Sequence, residues 1–396
     1  MTDFTAELGS RTLFPKLRAR VYAAHAAISP HSLPVREAIL AVTDDYASRG
    51  VGAVGGWFQA REGLRQRLAT LLGADTDEVG FVRNTTEGVV AIAMGFPWRR
   101  DDRVVLYTGE FPTNVTPWLS AADAHGVTPV FLDSDDFASS ATQGLTRLEE
   151  TLRAGARLVA VSAVSFQTGR CMPLKAMADL CHAHGAVLFV DAIQALGVVP
   201  IDVHQSGIDF LAAGGHKWLM GPEGTGVLYA AREQAAQLVP RVAGWLSHEE
   251  PLDFLFGGEG LLRYDKPLKR DITFVEAGVQ NALGFAALDA SISLLLHLGI
   301  ETIWQHVNRW NDALEAGFLE RGFQSLRATE ADGRSGILSV VAPDAAHTVS
   351  FHDELNAVGI TCNVPDGKLR FAPHWPNHID EVATVLEAID SLMDTR

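Results

Sequence analysis

The chain has 396 residues, 47% hydrophobic and 20% charged, with 32 basic against 48 acidic side chains and a formal net charge of −16. So high an apolar fraction excludes disorder, and the length allows two or three domains or one large domain with an appendage. The acidic balance leaves no surplus to neutralise phosphates, which argues against a nucleic-acid or polybasic membrane-surface protein. Three cysteines, Cys171, Cys181 and Cys362, form no CxxC pair, so neither a disulfide framework nor a zinc motif is expected. No apolar stretch approaches the roughly 20 residues of a membrane span. The opening MTDFTAELGSRTLFPK has no apolar signal core, and the simplest expectation is a cytoplasmic protein.

From residue 78 short β-rich runs alternate with helical stretches. EVGFV (78–82) precedes TTEGVVAIAMG, DRVVLYTG (102–109) precedes NVTPWLSAADAHG, and TPVFLD (128–133) starts the next unit. LTRLEETLRAG (145–155) leads into ARLVAVSAV (156–164), and PLKAMADLCHAHG (173–185) leads into AVLFVDAI (186–193). Gly126, Gly155 and Gly185 stand where these helices should stop. Runs this apolar on both faces belong in a parallel sheet covered by helices. DFLAAGG (209–215) and GTGVLYA (224–230) add two strands, giving an α/β domain over residues 20–255. Beyond 256 the chain turns loop-rich, then offers two long amphipathic helices within 279–299 and 301–322. A strand, a helix, two strands and a final helix follow, the order of a smaller α+β domain. Residues 1–19 and 256–396 are assigned to that domain and to an interface segment. The apolar helix near 284–299 suits either an interface or a domain core.

The chemistry is concentrated in a few turns. DFLAAGGHKWLMGPEGTG sets Lys217 after a Gly-Gly-His turn. Such a lysine is either a surface loop residue or an amine held in a crevice, where desolvation and a nearby cation lower its pKa for Schiff-base chemistry. AVLFVDAIQALG places Asp191 at the carboxyl end of an apolar strand, with Gln194 three residues on. That end of a parallel sheet opens on the crevice where such folds bind ligands, although a strand-end aspartate often only caps a turn. RNTTEG brings Thr85 and Thr86 to a helix start, which suits an anion such as phosphate, or simply an N-cap at Thr86. Phe111, just past a strand end, is placed either to stack on a planar ligand or to pack in the core.

As an ordered set these pieces resemble the class V aminotransferases, fold type I enzymes that depend on pyridoxal 5′-phosphate (PLP). The likeness runs from YAAHAAISP (22–30) to LRFAPHWPNHIDEV and takes in cysteine desulfurases, isopenicillin N epimerase-like proteins and carbon–sulfur lyases. It implies a mostly parallel seven-stranded sheet in the large domain. Lys217 would bind PLP covalently and then move the substrate's Cα proton. Asp191 would pair with the ring nitrogen, Gln194 with the ring hydroxyl, and Phe111 would stack on the ring, where desulfurases place a histidine. Thr85, Thr86 and His216 would hold the phosphate. Arg370, in KLRFAPH, would grip the substrate carboxylate. The resemblance also implies a homodimer with shared active sites, residues 256–281 crossing over.

Departures from the pattern bear on the reaction. Gly214 stands where a phosphate-binding serine is expected, and Val279 where relatives place threonine, leaving backbone amides, Gln280 or Asn281 to compensate. Phe166 replaces an asparagine of the desulfurases and makes the substrate side more apolar. A desulfurase needs a cysteine on a mobile loop, whereas Cys362 in GITCNVPDGKLR reads as a strand residue eight positions before Arg370. The favoured reaction on an amino-acid-like substrate is therefore β-elimination through a Cα carbanion, with transamination as the alternative. Epimerisation and decarboxylation are further branches, and cysteine desulfurisation is disfavoured. A PLP-fold protein used for binding or regulation is the non-enzymatic reading, against which Lys217 and Asp191 stand.

Overall fold

A computed structural model describes residues 5–394. In chain order its strands are β1 (Val21–Tyr22), β2 (Val79–Val82), β3 (Arg103–Tyr107), β4 (Thr128–Leu132), β5 (Leu158–Ser162) and β6 (Val187–Asp191). They continue with β7 (Phe210–Gly214), β8 (Gly226–Ala230), β9 (Gln324–Ser325), β10 (Leu338–Val341), β11 (Ile360–Thr361) and β12 (Leu369–Phe371). Strands β2 to β8 form one seven-stranded sheet in the order β2-β8-β7-β6-β5-β3-β4. Only β8 runs against its neighbours, so the sheet is mostly parallel, as the apolar runs predict.

Both faces of this sheet are buried except at the edge strand β4, where Phe131 is exposed, which explains why the inner strands show no polar alternation. On β6, Phe189 packs with Trp118, Ile92 and Phe210 on one side. Its neighbours Leu188 and Val190 pack with Leu68, Met177 and Leu288 on the other. The helix Ala282–Leu298 contributes Phe285, Leu288, Ile292 and Leu295 to this second cluster, so its apolar stripe serves the core of the large sheet. Two helices that the sequence reading left unassigned, Leu33–Arg49 and Val54–Leu72, lie against it. Their signal is weak because only Val35 and Val42 of the first are buried, and glycines 50, 52, 55 and 56 interrupt the join between them.

A buried ion pair ties these helices to the segment that follows. Arg65 Nη1 donates to Glu276 Oε1 at 2.6 Å, and Glu276 Oε1 also accepts from the Phe81 amide of β2 at 3.1 Å. Residues 277–281 therefore leave from a fixed point. Breaking such a pair strands a buried charge, while keeping it adds mainly specificity of placement.

The smaller sheet is antiparallel, in the order β12-β10-β9, with Arg370 of β12 opposite Ser339 of β10. Its core gathers Trp310, Leu314, Phe318, Leu338, Phe371 and Ile389. β1 pairs in parallel with β11, and Val21 joins the same core. Beyond β1 the chain returns to the large sheet, where the Ser29 amide donates to the His216 carbonyl at 2.8 Å. This early segment thus spans both sheets. Among the described residues no single helix is long and apolar enough to cross a membrane.

Candidate active site

The carboxyl ends of β3, β5, β6 and β7 converge where the strand order reverses, which is the crevice of an open α/β sheet. Lys217 enters it from the turn after β7. That turn is tight: a Cβ on Gly215 would fall 2.3 Å from Thr225 Oγ1, so only glycine fits. Burial pushes the Lys217 ammonium down to about 8; the Arg370 charge acts in the same direction, while Asp191 opposes both. An amine so placed is partly neutral near physiological pH and available as a nucleophile. Of the two alternatives open for this lysine, the structure has the crevice.

The peptide carbonyls around it are held from behind. Ser29 Oγ donates to the Lys217 carbonyl at 2.5 Å and shares a 2.7 Å hydrogen bond with His25 Nδ1. His374 Nε2 lies 2.9 Å from the Trp218 carbonyl, and burial pushes its pKa down to about 4. The neutral His374 ring must therefore carry its proton on Nε2 to make this bond, leaving Nδ1 to accept from the Trp375 amide at 2.8 Å. His25, Ser29 and His374 lie in the stretches YAAHAAISP and LRFAPHWPNHIDEV that bound the resemblance, but the sequence assigns them no role because their partners are brought in by the fold.

Asp191 ends β6 at 2% exposure. Burial raises its carboxyl to about 6, opposed by the Ile193 amide at 3.0 Å on Oδ1 and by Lys217. Gln194 is also buried, with Oε1 accepting from Trp218 Nε1 at 3.0 Å and Nε2 donating to the Ala26 carbonyl at 3.0 Å. One N–H of its amide is left for a ligand. Phe111 is 48% exposed at the crevice, its ring centroid 5.8 Å from Lys217 Nζ, and it meets Phe166 edge-on at 5.4 Å. The exposed face leaves room for a planar ligand, so the core-packing alternative for Phe111 does not hold.

Thr85 and Thr86 begin the helix Thr85–Gly95, but neither caps it. Asn84 is the N-cap, its side chain accepting from the Glu87 amide at 2.9 Å. The cap expectation for Thr86 is thereby corrected: the extended backbone at Asn84 puts the boundary one residue earlier than the TT pair suggests. Thr86 Oγ1 instead meets Thr113 Oγ1 at 2.9 Å. Thr85 Oγ1 is buried without a hydrogen-bond partner. At Gly214 an added Cβ would come 3.1 Å from the His216 ring, so the imidazole occupies the space beside this glycine. Burial, reinforced by Lys217, lowers the His216 pKa.

Arg370 reaches the crevice from the small sheet at 5% exposure. Nη1 donates to the Phe166 carbonyl at 2.8 Å, and its Nε is buried without a partner. Among the described residues no carboxylate forms an ion pair with it, and burial drives its pKa down to about 10, opposed by Cys362. A buried guanidinium with unused donors calls for an anion.

Gln280 and Asn281 stand apart from this cluster. Gln280 Nε2 donates to the Gly278 carbonyl at 3.1 Å, and Asn281 Oδ1 caps the helix Ala282–Leu298 by accepting from the Gly284 amide at 2.9 Å. Among the described residues no hydrogen bond joins either to Thr85, His216 or Lys217.

Comparison with known proteins agrees with this geometry. The aminotransferase class-V family model matches residues 21–368. A probable cysteine desulfurase of Methanothermobacter thermautotrophicus is 32% identical over 306 residues, 76% of this chain and 73% of that protein. An uncharacterized aminotransferase of Bacillus subtilis, YcbU, is 29% identical over 384 residues, 96% of each chain. The apo structure of the cysteine desulfurase from Thermococcus onnurineus NA1 superposes with a TM-score of 0.82 at 24% identity, covering 95% of both chains. A lysine crevice at the strand-order reversal and a family match over nearly the whole chain lead to one conclusion: the protein belongs to the class-V aminotransferases, PLP-dependent enzymes of fold type I.

Proposed function

We propose that the protein is a PLP-dependent β-eliminating lyase of an amino-acid-like substrate, transamination being the alternative reaction. The residues fit the cofactor. Thr85 Oγ1, buried without a partner at the start of an eleven-residue helix, is the orphan that a phosphate would satisfy. Thr86 and His216 flank that role, Asp191 would face the ring nitrogen, Gln194 the ring hydroxyl and Phe111 the ring face. When bound, PLP supplies an electron sink for negative charge developing at the substrate's Cα. The chain's own groups do the rest. Arg370 binds the substrate carboxylate and so fixes which Cα bond faces Lys217. Lys217, with a pKa near 8, takes the Cα proton, and in elimination the β-leaving group departs with its bonding electron pair and takes up a proton from Lys217 or water. Phe166, which meets Phe111 edge-on, lines the side-chain end and favours an apolar or bulky group there.

The observation that favours elimination over desulfurisation is the state of Cys362. It is 2% exposed in the small-domain core, and burial pushes its thiol up to about 12. Sulfur transfer needs an accessible thiolate. The test is a product screen: amino acids bearing a β-leaving group should yield pyruvate and ammonia without an added keto acid. Turnover that requires a keto-acid partner would make the enzyme a transaminase. Cys362→Ala should leave turnover within about two-fold, since a buried thiol near neutral pH is not a nucleophile; loss of sulfide release in this variant would establish desulfurase chemistry.

Thr85→Val tests the phosphate assignment. It keeps the shape and removes the hydroxyl, and should weaken PLP binding about ten-fold, the worth of one hydrogen bond to a charged acceptor. Equilibrium dialysis reads this directly, with inorganic phosphate as competitor.

The family's quaternary arrangement is proposed as well: a cytoplasmic homodimer whose partner segment 256–281 brings Gln280 and Asn281 to the neighbouring phosphate site. Phe256, Tyr264 and Val279 are 80%, 89% and 81% exposed, an apolar set that a partner surface would cover.

A further inference from the structure

Glu110 stands directly before Phe111 in the turn after β3, and its carboxylate is turned inward. It accepts from the Ser162 amide at 2.6 Å and shares a short hydrogen bond with Ser162 Oγ. Ser162 ends β5 and is paired in register with Asp191 at the end of β6. Three strand ends thus bring two carboxyl groups to one corner of the crevice, where the strand order reverses.

The corner is a poor place for a second negative charge. Burial raises Glu110 to about 7, the Asp191 charge adds to the rise, and the bonds from Ser162 oppose it. The other groups that face it are Asn114 from the turn Pro112–Asn114 and Tyr107 from the end of β3, whose own pKa is raised chiefly by burial. Lys217 acts on this corner through Asp191. A neutral glutamine would satisfy the Ser162 amide equally well. What a carboxyl alone adds is a charge that comes and goes near neutral pH.

We propose that Glu110 is a positioning residue of the cofactor site, standing behind Asp191 through Ser162 so that the two carboxyl groups jointly set the charge presented to the cofactor's ring nitrogen. The inference rests on the PLP reading above. Ionised Glu110 raises the proton affinity of nearby nitrogens; protonated Glu110 leaves Asp191 to act alone.

Glu110→Gln removes the charge and Glu110→Asp keeps it on a shorter arm. Two readouts are taken on the wild type and both variants: the thermal midpoint of cofactor-free protein from pH 5 to pH 8, and the pH titration of visible absorbance after PLP loading. A carboxyl whose folded pKa is raised stabilises the fold at low pH and loses that contribution as pH climbs from 4.5 to about 7. Glu110→Gln should therefore raise the thermal midpoint at pH 8 and leave it unchanged at pH 5. In loaded protein it should move the absorbance titration to lower pH by about half a unit or more, while Glu110→Asp stays near the wild type. An unchanged absorbance titration in Glu110→Gln overturns the proposal and leaves Glu110 a buried strut. Should Glu110→Gln fail to fold, Ser162→Ala takes its place, with a smaller shift expected in the same direction and none overturning the idea. If added PLP shows only the absorbance of the free cofactor even with the wild type, the PLP reading fails and this inference with it.

Discussion

Lys217→Ala is expected to abolish turnover, by at least about 10⁴-fold, because it removes both the proposed covalent anchor of the cofactor and the group proposed to move the Cα proton. The wild-type protein mixed with PLP should absorb above about 400 nm through the lysine-bound cofactor, and the variant should not. The residues proposed to hold the phosphate, Thr85, Thr86 and His216, are untouched by the change, so PLP should still bind the variant, more weakly and without covalent attachment. Borohydride reduction followed by mass measurement separates the cases: wild type gains the mass of the reduced cofactor and the variant gains none. Turnover in Lys217→Ala within ten-fold of wild type would exclude the assigned role. The fold should survive, since the substitution removes a cation that burial already disfavours.

The second large effect falls on Arg370. Arg370→Ala should lower kcat/KM for an amino acid by about 10²–10³-fold, the usual cost of deleting one partner of a buried, hydrogen-bonded charge pair. The loss should appear mainly in KM, with a smaller fall in kcat from poorer orientation of the Cα bonds. Arg370→Lys should recover only part of it, because an ammonium cannot reproduce the planar fork that binds a carboxylate in two places. PLP binding should be unchanged, as the guanidinium comes from the small sheet and bonds to Phe166 and Asn363, and to none of the residues proposed to hold the phosphate. A parallel drop in PLP affinity would show instead that Arg370 is part of the cofactor site. The variant should be at least as stable as wild type without substrate, since an unpaired buried charge is removed.

The fold was legible in the chain because its evidence is local. Each of the seven large-sheet strands is a short apolar run, and helix stops such as Gly126 and Gly185 lie in the left-handed region that glycine tolerates. The helix Leu33–Arg49 was not legible, because few of its residues are buried and its outer face carries no strong pattern. Residue placement in the site was legible in proportion to how tightly a motif brackets it. Asp191 ends a strand and Lys217, Thr85 and Phe111 each follow a strand end, and strand ends at one edge of a parallel sheet meet. Of the two alternatives open for Thr86, an anion site or an N-cap, the cap falls to Asn84, the better cap residue two positions earlier.

The sequence by itself determined that this is a PLP-fold enzyme chain, with an ordered set of lysine, aspartate, threonine and arginine at the expected places. Tertiary structure decided what those residues feel. Glu110 and Ser162 are 52 positions apart, and Ser29 is 188 positions from the Lys217 carbonyl it holds. Cys362 is buried by helices and strands that no local pattern joins to it. Burial and charge neighbours set pKa values, and both depend on which distant segments pack together, so the protonation chemistry of the site exists only in the folded chain.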